Sequence, residues 1–278
     1  MKILVTTDFS VNSKAGMRFA ISLAASRKAE LVFFHSSFLP KPETMADEHY
    51  SIYAKEETIK IKNRLNKFVA SIYKAMNVPP GKHKCVVVEG MIPESNIMDY
   101  ATDNFMDFIC ISTRGAGKLK KLFGTTAGNL ITKSDTPVIA IPQHYRLKTI
   151  KNVLYASDLK NYEQELKRVM AFVMPLNASV ELFHLTYPGE RNVNKDILDQ
   201  KLKKQFGNKV KLHLQSTDLS NSLADGLKNA ISISDPELVI MFTEQRRSFF
   251  QKLFLSSTSE EIVFQTKVPL LVYNKTAN

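Results

Sequence analysis

The chain has 278 residues, of which 44% are hydrophobic, enough to fill one large or two ordinary cores, so disorder is not the default expectation. No run approaches the ~18 apolar residues of a membrane span, and Asp8 interrupts the N-terminal stretch before a leader-like core develops, so a soluble, cytoplasmic protein without membrane partners is expected. The net charge of +11 raises nucleic acid as a partner, yet the excess divides evenly, +6 over residues 1–142 and +5 over 143–278, and a dedicated nucleic-acid binder is not expected.

In chain order, apolar runs without strict alternation predict strands covered on both faces near residues 2–7, 30–36, 84–89, 107–112 and 137–141. Helical spacing separates them. Ser13 to Arg27 turns Phe19, Ala20 and Leu23 inward, and a longer helix over about Glu43 to Met76 carries the stripe Ile61, Leu65, Phe68, Val69, Ile72 and Met76 before "NVPPG" stops it. Pro93 to Phe105 and Thr126 to Lys133 complete the set, and Pro137 opens the last strand where a missing N–H does least harm. Cys85 and Cys110 sit in apolar runs without CxxC spacing and read as core thiols.

The second half repeats the first. "ILVTTDFS" (Ile3 to Ser10) is echoed by "VLYASDLK" (Val153 to Lys160), and "KAELVFFHSSF" by "NASVELFHLTY", which aligns His35 with His184. "DFICIST" matches "ELVIMFT", "KLFGTT" matches "KLFLSS", and "SDTPVIAIP" matches "TKVPLLVYN", all in the same order. Two copies of one domain, 1–142 and 150–278, are therefore expected to meet near residues 143–150. Each is an α/β domain with a five-stranded parallel sheet and helices on both sides.

In such a sheet ligands bind outside the carboxyl ends of the strands, where strand order reverses. The segment "STRGAGKLKKLFGTTAGNL" (Ser112 to Leu130) leaves the fourth strand there, and it holds four of the ten glycines of the chain. Gly115 and Gly117 can expose main-chain N–H groups, while Gly124, Thr125 and Thr126 lead into a helix whose N-terminus suits an anion. Phosphate cradling is the predicted chemistry. "GAGK" is not a Walker A loop, because Leu119 follows Lys118 and Ser112 stands where its first glycine belongs, and no dinucleotide glycine fingerprint follows the first strand. Asp8, ending the first strand, either accepts hydrogen bonds from a base amino group or ribose hydroxyl, or caps the first helix together with Ser10. His35 and His184 read as structural.

These residues resemble the universal stress protein family in its tandem form. The resemblance rests on "VTTDFS", "FFHS", "ISTRGAGKLKKLFGTTAGNLI" and "TPVIAIP" in that order, and it covers both halves. It implies the Rossmann-like fold of the adenine nucleotide alpha hydrolases and, in members that bind ATP, a loop of pattern G-x2-G-x9-G-[ST]. Carried over, this implies Asp8, main chain near Ser36, main chain at Ile111, and Ser112, Gly115, Gly117, Gly124, Thr125 and Thr126 as nucleotide-binding positions. ATP or another adenine nucleotide, alone or with magnesium, is the implied ligand. Here Ser112 replaces the first glycine, and eight residues rather than nine separate Gly115 from Gly124. The resemblance also implies that the two domains pair inside the chain as a pseudo-dimer, with a homodimer of two chains as a further state.

The second copy reads "TEQRRSFFQKLFLSST" where the loop should be, with no glycine and with Glu244 near the phosphate path. Micromolar ATP binding needs about 8 kcal/mol, and a charge-assisted hydrogen bond contributes roughly 1.5–3, so losing two or three amide donors removes most of it. The second domain is thus expected to lack nucleotide, with Phe249, Phe250 and Phe254 packing instead. Three functions compete: a stress-response protein with a regulatory nucleotide and no catalytic residues, a scaffold of the same family without nucleotide, and an enzyme on the same framework. HxGH and SGGxDS motifs are both missing, which disfavours the third.

Overall fold

A computed structural model describes residues 1–113, 125–186, 188, 193–216, 223–243 and 267–275. They form two compact units that divide between Leu147 and Lys148.

The first unit runs β1 (Lys2–Thr6), α1 (Ser13–Arg27), β2 (Glu30–Ser37), α2 (Asp47–Met76), β3 (His83–Glu89), α3 (Pro93–Asp103), β4 (Phe108–Thr113), α4 (Thr125–Lys133) and β5 (Val138–Pro142). All strands are parallel, in the order β3-β2-β1-β4-β5. Apolar residues occupy consecutive positions of the central strands because helices cover both faces. Ile3, Leu4 and Val5 of β1 are all fully buried, as are Phe33 of β2 and Ile109 of β4. Each such side chain contributes about 1.5–3 kcal/mol, so the sheet centre is the stable part of the unit.

The helices stop where the sequence forces them to. Lys28 closes α1 in the left-handed region (φ 49°) with its N–H on the Ala24 carbonyl, and Asn77 closes α2 likewise (φ 53°) just before Pro79. The α2 stripe faces the sheet through Leu65, Val69 and Ile72, with Tyr73 added, whereas Ile61, Phe68 and Met76 are only half-buried at its margins. Pro93 opens α3 at a position that needs no intrahelical N–H bond. Both cysteines are buried, and burial pushes the Cys85 thiol up to about 11 and Cys110 further still, which favours the protonated thiols.

The second unit runs β6 (Asn152–Ala156), α5 (Tyr162–Val173), β7 (Ser179–Thr186), α6 (Lys195–Phe206), β8 (Val210–Ser216), α7 (Leu223–Ser234), β9 (Leu238–Thr243) and β10 (Leu270–Asn274). Its parallel order, β8-β7-β6-β9-β10, is that of the first unit with each strand exchanged for its sequence repeat. Even the register repeats: Thr6 pairs with Phe34 in one unit and Ala156 with Phe183 in the other. The second glycine-free loop, with Glu244, Phe249, Phe250 and Phe254, lies outside the described residues. No described helix is long and apolar enough to cross a membrane.

Candidate functional site

In the first unit β1 lies between β2 and β4, where the strand order reverses and an open α/β sheet forms a crevice outside its carboxyl ends. A cavity of about 320 Å³ occupies it. Its floor is the strand ends: Thr6 with Thr7 and Asp8 from β1, Phe34 with His35 and Ser36 from β2, Ile111 and Ser112 from β4. Its rim is the start of three helices, with Asn12 and Ser13 leading α1, Pro93 and Ile97 in α3, and Thr126 and Ala127 in α4. Each helix start contributes the partial positive charge of its dipole, although the first N–H groups of α1 are already taken by Ser10 Oγ, the Val11 and Asn12 carbonyls and Ser112 Oγ. The crevice therefore joins apolar walls to an edge that favours an anion, within the size range of small-ligand pockets.

The β1–α1 turn is built by its own side chains. Phe9 sits in the left-handed region at φ 63°, where a Cβ is disfavoured, and two bonds hold it there: Phe9 N–H to Thr7 Oγ1 and Ser10 N–H to Asp8 Oδ1, each 3.0 Å. The Phe9 ring packs on His35 at 4.4 Å, and the Arg64 guanidinium covers it at 4.4 Å. The bond to Ser10 gives Asp8 the turn role. One oxygen fixes the turn, while the residue itself is exposed on the cavity wall. The helix start is served by Ser10, whose Oγ accepts the Ser13 N–H (3.3 Å), and by a Thr7–Ser13 hydroxyl bond of 2.7 Å.

His35 is an anchor. Its Nδ1 lies 2.8 Å from the Thr7 carbonyl, which can only accept, so Nδ1 carries the proton. Burial holds its pKa below the usual histidine value, outweighing the opposing bond to Thr7 and aided by the Arg64 charge. His184 repeats the contact, with Nδ1 2.9 Å from the Ser157 carbonyl.

Ser112 lines the cavity but spends its hydroxyl on α1. The Gly16 N–H donates to Ser112 Oγ at 2.7 Å, and the hydroxyl in turn donates to the Ser13 carbonyl at 3.2 Å. The serine thus pins the first turn of α1 to β4. Gly16 is the matching half, since a Cβ there would stand 2.8 Å from Ser112 Oγ and 3.2 Å from Ser112 N. In an open helix Gly→Ala stabilises by about 1 kcal/mol, but here crowding of this kind costs typically 1–3 kcal/mol. We expect Gly16→Ala to lower stability in urea unfolding by about 1 kcal/mol net, and Ser112→Ala, which cuts the tether and strands the Gly16 N–H, to lower it by a similar amount. A more stable single variant would contradict the tight contact.

The structure thus brings Asp8, Ser36, Ile111, Ser112 and Thr126 to one cavity. Thr125 begins α4, and Gly115, Gly117 and Gly124 lie outside the described residues. The other lining residues were not anticipated as site residues from the sequence, among them Ser13, Pro93, Ile97 and Ala127. The signal of these four was positional, because each lies at or near the start of a helix that follows a strand carboxyl end. Among the described residues, no three His, Cys, Asp or Glu come together as metal ligands. A magnesium ion accompanying a nucleotide is held largely by phosphate oxygens and water, and Asp8 is the carboxylate in the described lining.

The second unit reproduces the turn and changes its chemistry. Leu159 has φ 61°, Leu159 N–H donates to Ser157 Oγ at 3.1 Å, and Lys160 N–H donates to Asp158 Oδ1 at 3.1 Å. The other oxygen of Asp158 holds the Lys275 ammonium at 2.7 Å. Lys275 also lies 3.5 Å from Glu165, which accepts a short hydrogen bond from the Tyr155 hydroxyl. Burial and the neighbouring carboxylate drive the Tyr155 pKa far up, so it stays a donor. Burial works to raise the Asp158 pKa, yet the bonds from Lys275 and the Lys160 amide carry it below the ordinary carboxylate range. Where β4 has Ser112, β9 has Phe242, stacked on Tyr273 at 4.9 Å, and the Arg168 guanidinium lies 4.6 Å over the Tyr273 ring.

Comparison with known proteins agrees with this architecture. Over 161 residues the chain is 26% identical to the stress response protein NhaX of Bacillus subtilis (strain 168), covering 50% of this chain and 96% of that protein. A crystal structure of a universal stress protein from Archaeoglobus fulgidus DSM 4304 superposes with a TM-score of 0.73 at 18% identity, covering 99% of this chain and 98% of that one. A putative universal stress protein from Pseudomonas aeruginosa UCBPP-PA14 gives 0.58 at 11% identity, covering 98% and 92%. The model of the universal stress protein family matches residues 1–142, and with that match over half its length the chain belongs to the universal stress protein family.

Proposed function

We propose that the first unit binds ATP, or a closely related adenine nucleotide with its magnesium, as a regulatory ligand in a cytoplasmic stress response. The observation that carries this reading is the convergence of three helix starts on one cavity floored by the carboxyl ends of the central strands. Phosphates suit the edge at α4 and the glycine segment that precedes it, while a flat base suits the wall made by Ile97, Ile111 and Pro93. In this reading Asp8, on the cavity wall, accepts from a ribose hydroxyl. The ligand, in this reading, acts as a signal. The second unit carries no nucleotide: its turn carboxylate is committed to Lys275, and its loop lacks glycine. The two units act together as a pseudo-dimer.

Titration calorimetry of the full chain with ATP and magnesium tests this reading. One site per chain with micromolar affinity is expected, and Asp8→Ala should weaken it about tenfold through loss of a charge-assisted bond. No heat at millimolar ATP overturns the reading, and two sites per chain overturn the assignment of the second unit. A scaffold without nucleotide is the second reading, favoured by the exposed Val11, Met91 and Ile92 on the connections after β1 and β3. Native mass spectrometry of freshly purified protein separates the two, since retained mass near that of ATP supports only the first.

A further inference from the structure

Ser36 sits at the end of β2, on the same side of the sheet as α3, and lines the cavity beside Phe34, Pro93 and Ile97. Its hydroxyl is not left to rotate. Asn96, in the second turn of α3, donates from Nδ2 to Ser36 Oγ at 2.7 Å. The Asn96 amide in turn lies against the main chain of the β3–α3 connection. A Cβ at Gly90 would fall 2.4 Å from Asn96 Oδ1 and 2.6 Å from Nδ2, so the amide occupies space that only a glycine leaves open. Gly90 is itself tied down by its N–H on the Ser37 carbonyl at 2.8 Å.

We infer that the Ser36 side chain, and not only the main chain of β2, reads the ligand at the base end of the cavity, with Asn96 as its positioning residue and Gly90 as the seat of Asn96. The chemistry is specific. A hydroxyl whose oxygen already accepts one N–H bond keeps its own proton to give, so it favours a ligand that presents an acceptor there, such as a ring nitrogen of a heteroaromatic base. Neighbouring Pro93, Ile97 and Phe34 are apolar, so a ligand that offered nothing to the hydroxyl would bury it without a partner. The inference rests on the nucleotide reading above and refines which end of the nucleotide lies at β2.

Gly90→Ala makes the test clean. Gly90 does not have a positive φ, so alanine fits its backbone, and the atoms that must move are the far end of one side chain, so the fold is expected to persist. Titrations of the full chain compare ATP with inorganic tripolyphosphate, which shares the phosphates and lacks the base. Ser36→Ala and Gly90→Ala should each weaken ATP about three- to tenfold and leave tripolyphosphate unchanged, and Ser36→Thr, which keeps the hydroxyl, should bind ATP within about twofold of the wild type. ATP binding that survives Ser36→Ala unchanged overturns this inference while leaving the nucleotide reading intact. Equal loss for both ligands also overturns it, since that places Ser36 at the phosphates or in the fold. A wild-type chain that binds no ATP overturns both.

Discussion

Replacing Lys275 by methionine is expected to destabilise the protein by about 3 kcal/mol, far beyond the usual effect of a surface lysine. The ammonium is 11% exposed and lies between Asp158 and Glu165, whose side chains are 27% and 6% exposed. Methionine fills the same volume but leaves two carboxylates facing each other without their cation. Part of the loss is relieved by water reaching Asp158, hence a figure at the low end for breaking buried pairs. The pH dependence follows from the depressed pKa of Asp158. A carboxyl group with a folded pKa below its unfolded value stabilises above the unfolded value, near 4, and loses that contribution as pH falls through the folded one. The gap between wild type and Lys275→Met in urea unfolding should therefore be full at pH 7 and shrink below about pH 4. Adding Asp158→Asn and Glu165→Gln should return most of the lost stability at pH 7, because no charge is then stranded. A Lys275→Met protein within 0.5 kcal/mol of the wild type at pH 7 would show that the cluster is solvated.

This cluster also marks where reading the chain as text ran out. The framework was legible because it depends on local pattern: uninterrupted apolar strands, helical stripes, and proline or left-handed stops. Predicted strands near 30–36 and 84–89 match Glu30–Ser37 and His83–Glu89, and the helix over Ser13 to Arg27 has those limits. The same pattern gave a five-stranded parallel sheet with helices on both sides, but not the strand order, which depends on pairings between distant segments. Side-chain partnerships across the fold were a different matter. Ser112 looked like a defect in a glycine motif, and only the bond from Gly16, 96 positions away, shows it to be a tether. Lys275 follows the last strand and meets Asp158 from 117 positions away, so no local window holds both. Asn96 and Ser36 are separated by 60 positions and by a whole crossover. Long-range pairs of small polar residues leave no periodic trace, and these are the contacts that give each unit its own site chemistry. The duplicated Asp-containing turn shows the point from the other side. Its bonds agree between the units to 0.1 Å, yet the second oxygen of Asp158 goes to a lysine that the repeat itself does not announce.

The largest effect on the proposed nucleotide site is expected from Thr126→Glu, and its value lies in the opposite signs of two readouts. Thr126 is half-buried in the first turn of α4 and lines the cavity. No acidic residue stands in that turn, so a glutamate there would interact favourably with the helix dipole and stabilise the helix by about 0.3–1 kcal/mol. Toward a bound phosphate the same carboxylate is repulsive: at about 4 Å and an effective dielectric of about 20, two unit charges oppose each other by roughly 4 kcal/mol. Allowing for screening by salt and rotation of the side chain, affinity for ATP should fall at least about a hundredfold while the thermal midpoint stays level or rises. Thr126→Gln, with similar bulk and no charge, should lose far less, which separates electrostatics from obstruction. Calorimetry and thermal unfolding on the same samples give both numbers. If Thr126→Glu binds ATP as the wild type does, the anion is not held at the start of α4 and the phosphate end of the proposed site is misplaced; if it loses both binding and stability, the residue supports the helix and not the ligand.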